Sequence, residues 1–119
     1  MPTILIVDDD DGVLEMLSKV LEGAGYQVLK ASDGQQAIGL YQSYPADLVL
    51  ADLVMPNKEG LEMIIELTGL YPAVKIIAMT GGRQEFLKVA KILGAKRVLA
   101  KPFSEQEILD AVSEALQHG

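Results

Sequence analysis

The chain has 119 residues, half of them hydrophobic and none of them cysteine, and 17 acidic side chains against 10 Lys plus Arg give a formal charge of −7. That length holds one domain of roughly 100–150 residues, with enough apolar content for a core rather than a disordered tail. The lack of cysteine excludes disulfide scaffolds, thiolate zinc sites and cysteine nucleophiles, and the acid excess argues against a general nucleic-acid or anionic-membrane binder.

The opening Met1-Pro2-Thr3 lacks the basic start of a secretory signal, and no apolar run approaches the roughly 20 residues of a membrane helix. A cytoplasmic location is therefore expected. Ile4 to Val7 is an unbroken apolar run, as in a strand buried on both faces, and it stops at Asp8-Asp9-Asp10-Asp11-Gly12. Val13, Leu14, Leu17, Val20 and Leu21 then recur at helical spacing until Gly23 and Gly25. Residues 26–29 read as a second strand, and Ser32-Asp33-Gly34 opens a helix through about Tyr41. Residues 47–51 form a third strand running into Asp52, and Met55 to Gly60 a loop before a helix marked by Leu61, Ile64, Ile65 and Leu67. Strand four covers 74–79 and ends at Thr80-Gly81-Gly82. A helix from about Gln84 to Leu93 stops at Gly94, strand five covers 97–100, and Lys101-Pro102 leads to a last helix carrying Ile108, Leu109, Val112 and Leu116.

Five strands alternating with five helices through short loops predict an α/β fold: an open parallel sheet covered by helices on both faces. In that architecture the working site lies beyond the carboxyl ends of the strands. There stand Asp8 and Asp9, Asp52, Thr80 and Lys101. Each alone has an ordinary explanation. An Asp after a strand is often a helix cap or Asx turn, Thr80 before two glycines could sit in a plain turn, and Lys101 could be a solvated loop lysine. Their joint placement at four of five strand ends is what the ordinary explanations leave over. Clustered carboxylates repel, so they bind a cation or raise a pKa. With oxygen ligands and no His or Cys nearby, the cation is a hard one, Mg²⁺ or Mn²⁺. A carboxylate also attacks phosphorus to give an acyl phosphate, and a hydroxyl and an ammonium would serve the remaining phosphoryl oxygens.

On Ile4 to Asp9, Asp47 to Pro56, Gly60, Met79-Thr80-Gly81, Gly94-Ala95 and Lys101-Pro102-Phe103, the chain resembles the response-regulator receiver domain of two-component signalling, from Ile4 to about Leu116. The resemblance implies a doubly wound, flavodoxin-like (βα)5 sheet of five parallel strands filling residues 1–119 as a single domain. It implies that Asp52 is the phosphoacceptor. Mg²⁺, with Mn²⁺ as a substitute, would be held by Asp9 directly, Asp8 through water, Asp52, and the backbone carbonyl of Val54. Lys101 would pair with the phosphoryl oxygens, Thr80 would swing toward them, and the Lys101–Pro102 peptide would be cis, which X–Pro bonds allow. The implied role is a signalling module, not an enzyme, that assists only its own phosphorylation and dephosphorylation. The phosphodonor would be a sensor histidine kinase or a histidine phosphotransfer protein. The readout would be a downstream target or output domain, in a partner or in further chain, met through the 83–119 face. Neither nucleic acid nor membrane is an implied partner, and a phosphorylation-dependent homodimer is compatible with the family.

Two features depart from the family pattern. Val98 stands where an aromatic that turns inward with the threonine is often found, which shifts the expected readout to the loop after Thr80. Arg83, Lys88, Lys91, Lys96, Arg97 and Lys101 make 83–101 basic within an acidic chain, either as a solvated face or as a docking surface for an acidic partner. Val54 and Gly82 flank the expected path of attacking water, so their identity bears on the lifetime of the acyl phosphate. His118, the sole histidine, sits at the end of the chain and is no phosphodonor candidate.

Asp9-Asp10-Asp11-Gly12 also resembles the first motif of haloacid-dehalogenase-type phosphatases, with Asp9 as nucleophile and Asp11 as acid. That reading lacks a later carboxylate pair for Mg²⁺ and leaves Asp52 to Pro56 unexplained. A calcium loop registered on Gly12 puts Val7 and Ser18 where acids are needed. A structural domain with a dead site predicts the loss of at least one of the five polar residues, and all are present.

Overall fold

The computed structural model describes residues 1–53, 59–81 and 84–117. Among these lie β1 (Thr3–Val7), α1 (Asp11–Gly23), β2 (Gln27–Ala31), α2 (Gly34–Ser43), β3 (Leu48–Asp52), α3 (Glu59–Leu70), β4 (Ile76–Thr80), α4 (Gln84–Ile92), β5 (Arg97–Ala100) and α5 (Glu105–Gln117). The strands form one parallel sheet in the order β2-β1-β3-β4-β5. This is the doubly wound (βα)5 architecture expected from the alternation of elements.

The unbroken apolar strands follow from burial on both faces, because successive side chains point to opposite sides. Ile4, Ile6, Leu48, Leu50, Ile77 and Met79 pack against Leu14, Leu17 and Leu21 of α1 and Ile108 and Val112 of α5. Leu5, Val7, Val49, Ala51, Ile76 and Ala78 face the other layer, built from Ala37 and Tyr41 of α2, Met63, Ile64 and Leu67 of α3, and Ala90 of α4. The sheet edge is less buried: Val28 and Leu29 of β2 are only half-buried.

Helix α1 ends as its glycines require. Gly25 takes φ 97°, its N–H donates to the Glu22 carbonyl, and the Tyr26 N–H donates to Leu21 O. Gly94 at φ 110° ends α4 the same way, with Ala95 N–H donating to Ala90 O. This wrap shifts the second strand: Tyr26 closes the helix, so β2 begins at Gln27 and runs on to Ala31. Strand four likewise starts at Ile76, because the Val74 N–H is spent in a turn on Tyr71 O. Asp52 and Thr80 are the last residues of their strands rather than the first of the loops, and α3 already begins at Glu59.

Candidate functional site

The helix caps dispose of the ordinary explanation for two aspartates and leave the others. Asp10 caps α1, its Oδ1 accepting from Gly12 N at 2.8 Å and Val13 N at 3.3 Å, and Asp33 caps α2 by accepting from Gln36 N at 2.7 Å. Asp8 also accepts from the Asp10 N–H in an Asx-type contact, which engages only one of its two oxygens. The carboxylates of Asp8, Asp9 and Asp52 converge: one oxygen from each lies within 4.8 Å of the others. Asp8 and Asp52 are buried and Asp9 is exposed.

Lys101 joins this group from the position just after β5. Its Nζ donates to Asp8 Oδ2 at 2.9 Å and to Asp52 Oδ2 at 3.2 Å. Burial alone would lower the pKa of Lys101, but the hydrogen bond to Asp8 and the charge of Asp52 outweigh it and hold the ammonium above its ordinary value. Asp8 Oδ1 accepts from the Asp10 N–H at 2.9 Å, so both Asp8 oxygens are engaged. Three carboxylates and one ammonium leave two formal negative charges unbalanced. The all-oxygen donor set and its spacing suit one hard divalent cation such as Mg²⁺.

Thr80 completes the set. It is fully buried, and its Oγ1 is the one buried side-chain polar atom without a hydrogen-bond partner among the described residues. A buried orphan hydroxyl costs about 1–3 kcal/mol, so its retention marks a place where a partner arrives. The sheet ladder holds these groups in register: Leu53 N–H donates to Met79 O at 2.8 Å and Lys101 N–H to Thr80 O at 2.7 Å. The Lys101–Pro102 peptide is cis.

The structure thus brings together Asp8, Asp9, Asp52, Thr80 and Lys101. Val54, Gly82, Arg83 and His118 lie outside the described residues. Val98 is half-buried against the α2–α3–α4 layer. Gly60, one of the residues that carry the resemblance, has a steric reason that only the structure supplies. A Cβ there would stand 2.5 Å from Asp52 O and 2.8 Å from Leu53 O, so only glycine lets α3 start this close to the site. Beside Lys101, a hollow of about 330 Å³ is lined by Val13, Met16, Pro102 and Phe103, an apolar collar of which helical spacing marks only Val13.

The sequence model of the response regulator receiver domain matches residues 4–113. The chain belongs to the receiver family. Its role is that of a phosphoacceptor signalling domain rather than a conventional enzyme, and receivers work with histidine kinases or phosphotransfer proteins and with output domains. Similar proteins include Protein CcdB of Bacillus subtilis, 37% identical over 99% of this chain and 100% of its own length. Sporulation initiation phosphotransferase F of the same organism is also 37% identical, over 95% of this chain and 92% of its own. A CheY-like receiver from Methanospirillum hungatei JF-1 superposes with a TM-score of 0.92 at 30% identity, covering 98% of this receiver and 94% of that chain. No described helix is long and apolar enough to cross a membrane.

Proposed function

We propose that Asp52 is the phosphoacceptor of this receiver and that Asp8, Asp9, Thr80 and Lys101 serve the transfer. The observation that carries this reading is Lys101 bridging two buried carboxylates beside an exposed third, with an unpartnered hydroxyl at the next strand end. Asp9 makes no hydrogen bond or ion pair among the described residues, which suits it to ligate Mg²⁺ directly. Asp8, with both oxygens engaged, acts through water. Asp52 would be a further ligand, and the family resemblance adds the carbonyl of Val54, which lies outside the described residues. When bound, Mg²⁺ (or Mn²⁺) neutralises charge developing on the phosphoryl oxygens.

In the transfer, the Asp52 carboxylate attacks the phosphorus of a phosphoimidazole, the O–P bond forms as the N–P bond breaks, and the leaving imidazole takes up a proton. The Lys101 ammonium passes from Asp52 to a phosphoryl oxygen, and the Thr80 hydroxyl donates to another, which satisfies its orphan. That movement at the end of β4 alters the following segment and the face built by α4, β5 and α5, where a downstream target or output domain reads the state. With Val98 in the aromatic position, the backbone after Thr80 carries the change. The apolar collar of Val13, Met16 and Phe103 receives the donor, a sensor histidine kinase or phosphotransfer protein. The receiver assists only its own phosphorylation and dephosphorylation, occupies residues 1–119 as one domain, and acts in the cytoplasm. Incubation with acetyl phosphate, followed by intact mass, tests the reading. Wild type gains one phosphoryl group with Mg²⁺ and none without it, and Asp52→Asn gains none. Equal gain by both proteins would overturn it.

A further inference from the structure

Between α2 and α3, away from the phosphorylation site, runs a groove of about 460 Å³. Ile38, Gly39 and Met63 form its floor, and Glu62 and Glu66, one helical turn apart, line its wall. Helix α2 carries no Asp, Glu, Lys or Arg, and neither glutamate has an ion-pair partner among the described residues. A Cβ built on Gly39 meets nothing within 4 Å, so this glycine is not demanded by packing and its effect is to keep the groove open.

The opposite chemistry stands on α4. Lys88 and Lys91 are exposed without ion-pair partners among the described residues, and Ile92 is 84% and Val89 39% exposed. At 3.6 residues per turn these four side chains fall within about half the circumference of the helix, with Ile92 between Lys88 and Val89. The lengths agree as well. The groove follows α2 from Gln35 to Gln42, and α4 is nine residues long.

We infer that α4 of a second copy of this chain docks in the α2–α3 groove, Ile92 and Val89 over Ile38, Gly39 and Met63, and Lys88 and Lys91 against Glu66 and Glu62. Groove and α4 are different surfaces of one chain, and we take the contact as head-to-tail, each pair leaving one groove and one α4 free to extend a short array. The net charge of −7 on every copy opposes assembly, so the arrays form only at high protein concentration. In an array, the α4 surface proposed above for the downstream target is covered. The docking itself requires no phosphorylation, so its test stands apart from that of Asp52.

Sedimentation velocity across a concentration series is the measurement, with circular dichroism confirming that each variant folds. The wild-type average mass rises with concentration without a plateau at the dimer. Glu62→Lys/Glu66→Lys, which reverses the wall, Ile92→Asp, which removes the apolar anchor, and Gly39→Leu, which fills the groove without altering charge, each weaken association about tenfold or more. Gly39→Leu also raises the melting temperature, separating a blocked groove from a damaged fold. Mixing the Glu62→Lys/Glu66→Lys and Ile92→Asp proteins restores association that stops at one pair, because each supplies the surface the other lacks. Wild type that stays monomeric at every concentration, a mixture that stays monomeric, or association that Gly39→Leu leaves intact would each overturn the inference.

Discussion

At the amino end of the sheet, polar groups settle one another. The Thr3 N–H donates to Asp47 Oδ2 at 2.7 Å, the Thr3 hydroxyl to Gln27 Oε1 at 3.1 Å, and Lys75 Nζ to the Leu116 carbonyl at 3.3 Å. At the carboxyl end, equally polar residues are left in tension. Two carboxylates are buried on one shared ammonium, a third stands beside them, and a buried hydroxyl has no partner among the described residues. Both ends cap the same strands, so the contrast does not come from the fold. A fold optimised for stability alone would treat the two ends alike, and the unresolved charge is what the proposed role of this end, taking a phosphoryl group and a cation, would account for.

Substitutions at the two ends should therefore differ in size, and in one case in sign. The largest effect is expected for Lys101→Met, which leaves Asp8 charged, buried and unpaired, at a cost of about 3–5 kcal/mol in metal-free urea unfolding. Added Mg²⁺ should stabilise this variant more than wild type. The pKa of Lys101 is raised in the fold, so its contribution is fully present below the ordinary lysine value of about 10.4 and is lost as pH rises through the higher folded value. The gap between wild type and Lys101→Met should thus be constant from neutral pH to about 10 and shrink in stronger alkali. A gap that closes near neutral pH would mean that the bridge is not what stabilises the site.

Next in size is Gly60→Ala, where the new methyl meets the backbone of Asp52 and Leu53, for a loss of about 1–3 kcal/mol and slower phosphorylation by acetyl phosphate. Thr80→Val should change sign. It removes the orphan hydroxyl at nearly constant volume and should stabilise the unphosphorylated protein by about 1 kcal/mol in thermal unfolding, while slowing phosphorylation of Asp52 because one hydrogen bond to the phosphoryl oxygens is lost. Destabilisation by Thr80→Val would show that the hydroxyl already has a partner. The smallest effect belongs to the amino end: Asp47→Ala removes one exposed hydrogen bond and should cost about 0.5–1.5 kcal/mol with no effect on phosphorylation.

The fold was legible because each buried strand is a continuous apolar run and each helix has a sided pattern, which together leave one architecture. The site was legible for a related reason: Asp8, Asp52, Thr80 and Lys101 interrupt those runs at their ends, and a polar residue at the end of an apolar strand is conspicuous. Boundaries were less so. The ladder continues one residue past the last apolar side chain at Asp52 and Thr80, and the wrap at Gly25 moves the start of β2. Those effects lie in backbone hydrogen bonds that hydropathy does not register. Gly60 was visible as part of the family resemblance, but its steric reason was not, because the atoms its missing Cβ would strike belong to β3 and the residue after it, several residues earlier in the chain. The α4 lysines were visible as charge, but that Lys88 and Lys91 stand clear while Arg97 pairs with Glu114 and Lys101 enters the site needed the structure.

The proposed mechanism turns on the phosphoryl group residing on Asp52. Treating the protein with acetyl phosphate and Mg²⁺, reducing the acyl phosphate with borohydride and sequencing the peptides by mass spectrometry reads the site directly. Homoserine is expected at position 52 and nowhere else. Homoserine at position 9, with position 52 unmodified, would contradict it and revive the phosphatase-like reading of Asp9 to Gly12.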